Sequence, residues 1–203
     1  MNAACRTVEI GYIPPDEKEI ARYALLPPGA PVPEEWPLEE CAGLIRDRIF
    51  CRAVWRRVPV TSSAAGIAFG PVMTASSALK KRLEGCGSAV IFACTAGFEM
   101  DRLIARGALT SPVHALILHA AGAQQVEGAC DRLCRMLGNE FPGMILTERF
   151  SPGYGDLPLD AQREFLKALD AERLIGVHLN EACVMIPSKS VTAVVGLKER
   201  KKP

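Results

Sequence analysis

The stretch Arg149-Phe150-Ser151-Pro152-Gly153-Tyr154-Gly155-Asp156-Leu157-Pro158 gathers residue types that could hold a small molecule. An arginine presents a planar fork of N–H donors that matches a carboxylate. Gly153 and Gly155 let backbone N–H and C=O groups come close to a bound molecule, Pro152 stiffens the approach, and Tyr154 adds a ring and a hydroxyl. Together they suit a small amphipathic ligand bearing a carboxylate and a flat ring. A tight Gly/Pro turn with a surface arginine has the same composition, so the residues alone leave both readings open.

Little else in the chain has the spacing that chemistry needs. No Ser/His/Asp or Cys/His set, no paired carboxylates and no phosphate-cradling glycine loop stand out. The eight cysteines include no C-x-x-C, and the close pair Cys130/Cys134, one helical turn apart, lacks two further ligands at zinc spacing. They read as small hydrophobes on a packed helix, so no metal site is expected. His114, His119 and His178 are isolated from one another, and His119, inside a predicted helix, is read as a core histidine.

The elements that must position the 149–158 stretch follow from periodicity and caps. Met144 to Phe150 reads as a strand leading into it, and Leu159 to Leu169 as a helix leaving it. The longest helix begins with Ser111 as N-cap and Pro112 at its first position, and Val126, Ala129, Cys130, Leu133, Cys134 and Leu137 form its apolar stripe. Gln124, Asp131 and Arg135 fall on its polar side. Gly122 and Gly128 each cost about 1 kcal/mol inside a helix, which the close approach of a packed neighbour would offset. Ala89 to Cys94 is short and wholly apolar, as a central strand buried on both faces would be. Thr7 to Ile13, Cys51 to Thr61 and Val191 to Leu197 read as further strands; Asp16 to Leu25, Leu38 to Ile49, Ser76 or Ser77 to Leu83, and Gly97 to Ala105 read as helices.

Seven of the fifteen prolines lie between Pro14 and Pro37, which makes residues 26–37 a connector that no helix can traverse. Strands and helices mix without a regular βαβα beat. The expected fold is therefore α+β, a largely antiparallel, mixed sheet covered by helices, in a single domain spanning 1–203 with a disordered basic tail over 198–203. With hydrophobic residues at 49% and charged ones at 23%, the composition is that of a folded globule. Lys+Arg 24 against Asp+Glu 23 leaves a net charge of +1, which offers no field for gripping nucleic acid. The amino-terminal residues form no apolar export segment and no later run is long enough for a bilayer, so a cytoplasmic location with reduced cysteines and no membrane partner is expected.

The 149–154 stretch and the residues C-terminal to it resemble a known family: the activation (reactivation) domain of cobalamin-dependent methionine synthase, in a small stand-alone form. The resemblance runs from Arg149-Phe150-Ser151-Pro152-Gly153-Tyr154 to Ile175-Gly176-Val177-His178-Leu179-Asn180-Glu181-Ala182-Cys183-Val184-Met185-Ile186-Pro187 and Ser190-Val191-Thr192-Ala193. It is weaker around Phe92 to Gly97 and Val126 to Ala129, and negligible in the proline-rich first third. It implies that S-adenosylmethionine is bound and its methyl group presented to inactive cob(II)alamin, which one electron from a flavodoxin-like or ferredoxin-like donor makes methylatable. On this chain it makes Arg149 the partner of the ligand carboxylate, with main-chain contacts from Ser151 and Gly153, Tyr154 beside the ligand, and Glu127 at an acidic position of the long helix. Glu181 sits in a counterpart of a Thr-Glu-Ser-like stretch with no role assigned.

The family's full-length enzymes also use an acidic residue well before the arginine motif and a tyrosine pair after the last strand; neither aligns here, and Gly155-Asp156-Leu157 replaces Pro-Ala-Cys after the Gly-Tyr. A histidine loop for cobalt, Asp-x-His-x-x-Gly, has as its nearest counterpart His119-Ala120-Ala121-Gly122 with Ile117 in place of the aspartate, so the cobalamin is expected on a partner, a methionine synthase core or another corrinoid protein. The resemblance thus implies a component of methionine synthase with no catalytic side chain of its own. Its alternatives are an activator of another corrinoid-dependent methyltransferase and a scaffold that keeps the fold without S-adenosylmethionine binding.

Overall fold

The computed structural model describes residues 4–200. β1 (Arg6–Gly11) is followed by α1 (Glu17–Tyr23), which starts where the Asp16 carboxylate accepts the N–H groups of Lys18 and Glu19. From 24 to 37 there is neither helix nor strand: the prolines exclude helix over 26–37, and the helix expected to reach Leu25 ends at Tyr23, with Leu25 at φ +63. α2 (Leu38–Arg46) leads into the long β2 (Cys51–Ser63). β3 (Gly66–Phe69) and β4 (Val72–Thr74) continue it as a meander that the periodicity did not reveal. Gly66 permits it: at φ +143 its missing Cβ would lie 2.3 Å from the Thr74 carbonyl oxygen.

α3 (Ser77–Arg82) begins at Ser76, whose hydroxyl accepts the Leu79 N–H at 3.1 Å. β5 (Ser88–Thr95), α4 (Phe98–Thr110), α5 (Pro112–Glu140) and β6 (Met144–Leu146) come next. The Ser111 cap is confirmed, its hydroxyl accepting the His114 N–H at 3.1 Å. A 3₁₀ turn (Leu159–Ala161) opens α6 (Gln162–Leu169), and α7 (Ala171–Ile175), β7 (His178–Leu179), β8 (Met185–Ile186) and β9 (Ser190–Glu199) complete the chain.

The main sheet runs β4-β3-β2-β5-β9-β6, with β1 also paired to β2, while β7 and β8 form a separate hairpin. Every pairing described is antiparallel, so the parallel component allowed for in a mixed sheet is absent from the described residues. β5 is buried along its whole length, as its unbroken apolar run predicts. Alternation along it feeds two cores. Val90, Phe92 and Cys94 join the helices α1, α2, α4 and α5 on one face. Ala89, Ile91 and Ala93 join Leu79 of α3, Leu83 at its C-cap, and Phe165, Leu166 and Leu169 of α6 on the other. The α+β expectation holds, with helices on both faces of an antiparallel sheet.

Several local expectations change. The tail placed at 198–203 is strand for its first part: Lys198 and Glu199 pair with Ile145 and Met144, and the Arg200 N–H donates to the Gly143 carbonyl at 2.9 Å. Residues 201–203 lie outside those described. Gln124 is buried on α5, not on a polar side, because the 12–14 segment packs there: its amide donates to the Pro14 carbonyl, and the neighbouring Gln125 accepts the Ile13 N–H at 3.0 Å. His119 is exposed and not a core histidine; the buried Lys189 brings its Nζ to 3.1 Å from the imidazole nitrogens. Gly122 and Gly128 are the packing sites expected of them. A Cβ on Gly122 would touch the Lys189 stem at 3.1 Å, and one on Gly128 would meet Ile13 at 2.7 Å. No helix among the described residues is long and apolar enough to cross a membrane.

Candidate functional site

The strand read over 144–150 does run alongside β9, but with a fault in its ladder that aims the arginine. Leu146 pairs with Leu197 and Phe150 with Val194, so four steps on one side span three on the other. The extra residue falls at 147–149 and forms a bulge, which bends a strand and redirects its side chains. Thr147 fixes the near end: its N–H donates to the Gly196 carbonyl at 3.0 Å, and its hydroxyl accepts the Gly196 N–H at 2.8 Å. Phe150 fixes the far end by exchanging N–H···O bonds with Val194 at 3.0 and 2.9 Å. Between them Arg149 projects toward α5.

There it meets two carboxylates. Nη1 of Arg149 donates to Glu127 at 2.9 Å and Nη2 to Asp131 at 2.8 Å. Glu127 and Asp131 are one turn apart on α5 and therefore face the same way. Partial burial works against the guanidinium charge, but the Cys130 sulfur, Glu127 and Asp131 outweigh it and hold the proton more firmly. The surrounding cavity has a volume of about 700 Å³ and is lined by Glu127, Asp131, Cys134, Arg149, Ser151 and Tyr154, with Arg82, Thr147 and Val191 among its other walls. That is within the usual range for small-molecule sites. Burial pushes the Cys134 thiol up to about 11, with Arg149 opposing the rise, so the wall carries a thiol and not a thiolate at neutral pH.

The loop closing the cavity is built from its own backbone. The Tyr154 N–H donates to the Ser151 carbonyl at 3.2 Å, the Gly153 N–H to the Leu157 carbonyl at 2.9 Å, and the Leu157 N–H to the Tyr154 carbonyl at 3.0 Å. Asp156 pins this loop to α3, its carboxylate accepting the Ser77 N–H and hydroxyl at 2.7 Å each, the Ala78 N–H at 3.1 Å, and the Ser76 hydroxyl. The Ser76 and Ser77 hydrogen bonds hold the Asp156 carboxyl well below the usual carboxylate range.

Four of the five sequence-predicted site residues converge here: Glu127, Arg149, Ser151 and Tyr154. Gly153 stands apart from the lining. Its N–H is spent on Leu157 and its φ of +91 makes the turn, so it shapes the loop. Asp131 and Cys134 are site residues that the sequence shows only as parts of the polar side and the apolar stripe of the long helix; the Glu127-to-Asp131 spacing was the available signal for the first. Arg82 and Val191 reach the cavity from α3 and β9 with no local signal at all. Glu181, His114, His119 and His178 do not line it. Among the described residues no group of three or more His, Cys, Asp and Glu is placed to hold a metal ion.

No model of a known protein family matches the chain, and no curated protein matches it in sequence. Among solved structures it is similar to the crystal structure of the MetH reactivation domain bound to AdoHcy. The TM-score is 0.62 at 15% identity, over 99% of this chain and 80% of that one. The chain thus has the fold of that reactivation domain.

Proposed function

We propose that this chain is a reactivation module acting in trans: it binds S-adenosylmethionine and supports reductive methylation of cob(II)alamin held by a methionine synthase core. The observation that carries the reading is the cavity of about 700 Å³ into which Arg149, Glu127, Asp131, Ser151 and Tyr154 converge, in a fold whose solved relative holds AdoHcy. The donor set fits the ligand. S-adenosylmethionine brings a carboxylate, an ammonium, a sulfonium and a flat purine. Arg149 supplies the fork for the carboxylate, the acidic pair Glu127 and Asp131 an anion for the cationic groups, Ser151 a hydroxyl and main-chain atoms, and Tyr154 an exposed ring at the mouth.

Cobalamin on the partner would supply the nucleophile for the sulfonium methyl, given one electron from a flavodoxin-like or ferredoxin-like donor, with S-adenosylhomocysteine left on this chain. This chain orients the sulfonium and excludes water from it, and no side chain acts as acid or base. The test is to mix the protein with a methionine synthase lacking its own activation domain, holding cob(II)alamin, together with a reductant and S-adenosylmethionine. The visible spectrum should pass to that of methylcobalamin. No recovery with a competent reductant counts against the reading. Arg149→Ala should weaken S-adenosylmethionine binding by about 1.5–3 kcal/mol, the worth of a charged hydrogen bond, and calorimetry with equal affinities would remove Arg149 from the site.

A further inference from the structure

We propose that Asp131 is the specificity-determining residue of this cavity, selecting ligands that carry an ammonium beside their carboxylate over plain carboxylates. This rests on the S-adenosylmethionine reading of the site and assigns a task within it. One guanidinium here faces two carboxylates, each holding a different terminal nitrogen. A carboxylate arriving alone places a third negative charge around the Arg149 guanidinium and gives nothing back. A carboxylate that brings its own ammonium offers a replacement donor to whichever protein carboxylate yields its N–H.

The two anions are unequal. The Glu127 side chain is 37% exposed and Asp131 66%, against 25% for Arg149. Asp131 is thus the one at the rim, where a charge is released into water at least cost and where an entering ligand arrives first. The other charges around the cavity leave it this role. Arg82 is engaged by Glu148, and Arg135 lies one further turn along α5 on the exposed side. Asp131 gives up Nη2 of Arg149 to the incoming carboxylate and takes the ligand ammonium, while the less exposed Glu127 stays on Nη1.

Calorimetric titration of the whole chain with S-adenosylhomocysteine and with its deamino analogue, in which hydrogen replaces the amino group, separates the outcomes. The wild type should prefer the amino-bearing ligand by about tenfold or more, the worth of one charge-assisted contact. In Asp131→Asn, which keeps the size of the side chain and removes its charge, that preference should fall about tenfold, the deamino analogue gaining as the amino ligand loses. Glu127→Gln should leave most of the preference in place. If both ligands bind the wild type and the ratio is unchanged in Asp131→Asn, or if it collapses in Glu127→Gln instead, Asp131 does not select. If neither ligand binds the wild type, the S-adenosylmethionine reading falls, and this assignment with it.

Discussion

Asp156 shows how a single side chain converts a glycine-rich bend into a fixed wall. Its carboxylate gathers donors from Ser76, Ser77 and Ala78, so the loop carrying Ser151 and Tyr154 cannot drift from α3 while that carboxylate is ionised. Its folded-state proton affinity is depressed by those bonds. The resulting stabilisation is therefore complete above the unfolded carboxylate pKa of about 3.9 and is lost as the pH falls through the lower folded value. Asp156→Ala should melt at a lower temperature than the wild type at neutral pH, with the gap closing below about pH 4. Melting curves that stay parallel from neutral to strongly acidic pH would deny Asp156 this role. The residue types at 149–154 were legible as a Gly/Pro bend carrying an arginine, whereas the duty of Asp156 was not, because its partners lie far earlier in the chain.

At the scale of elements, the bulge between β6 and Phe150 is the device that turns Arg149 toward α5, and Gly196 of β9 is its keystone. Gly196 exchanges two hydrogen bonds with Thr147, and a Cβ there would come within 2.6 Å of the Cys86 sulfur, 2.9 Å of Leu83 and 3.0 Å of Thr147. Gly196→Ala should cost about 1–3 kcal/mol, the usual range for overpacking a filled interior. It should also weaken ligand binding, because Thr147 must move. Urea unfolding and ligand titration on the same variant check both; an unchanged midpoint would mean that the strands slide apart freely at this point. The sequence showed an extended segment over 144–150 and a final strand, but a one-residue bulge depends on which residues face each other across the ladder. Neither strand states that by itself.

For the molecule as a whole, the cavity draws its walls from both sides of the sheet. α5 belongs to the core that includes Phe92 and Ala129, and α3 to the one that includes Ile91 and Phe165. A ligand held by α5, α3, the 147–154 segment and β9 together binds the folded chain alone. Saturation at a hundred times Kd should then add about 2.7 kcal/mol to the stability of the whole fold. For a chain of this length that corresponds to a rise of about 5–10 °C in melting temperature. Melting in the presence of increasing S-adenosylmethionine measures it, and an unmoved midpoint would contradict an S-adenosylmethionine site on the folded chain.

The linear order of residues settled the features that arise within a turn or two of chain. The proline run excludes helix from 26 to 37, Asp16, Ser76 and Ser111 start helices through their own oxygens, and the apolar run of β5 requires burial on both faces. The Arg149-to-Tyr154 motif likewise announces a Gly/Pro bend, and leaves open whether it serves a ligand or only a turn. Tertiary structure decided which groups meet. It gave Arg149 two carboxylate partners, turned His119 outward over Lys189, drew Gln124 inward, and made strand of Lys198 and Glu199. The physical reason is that caps and periodicity act through dihedral angles and local burial, while register and pairing are set by side chains that touch only after distant segments have closed on one another.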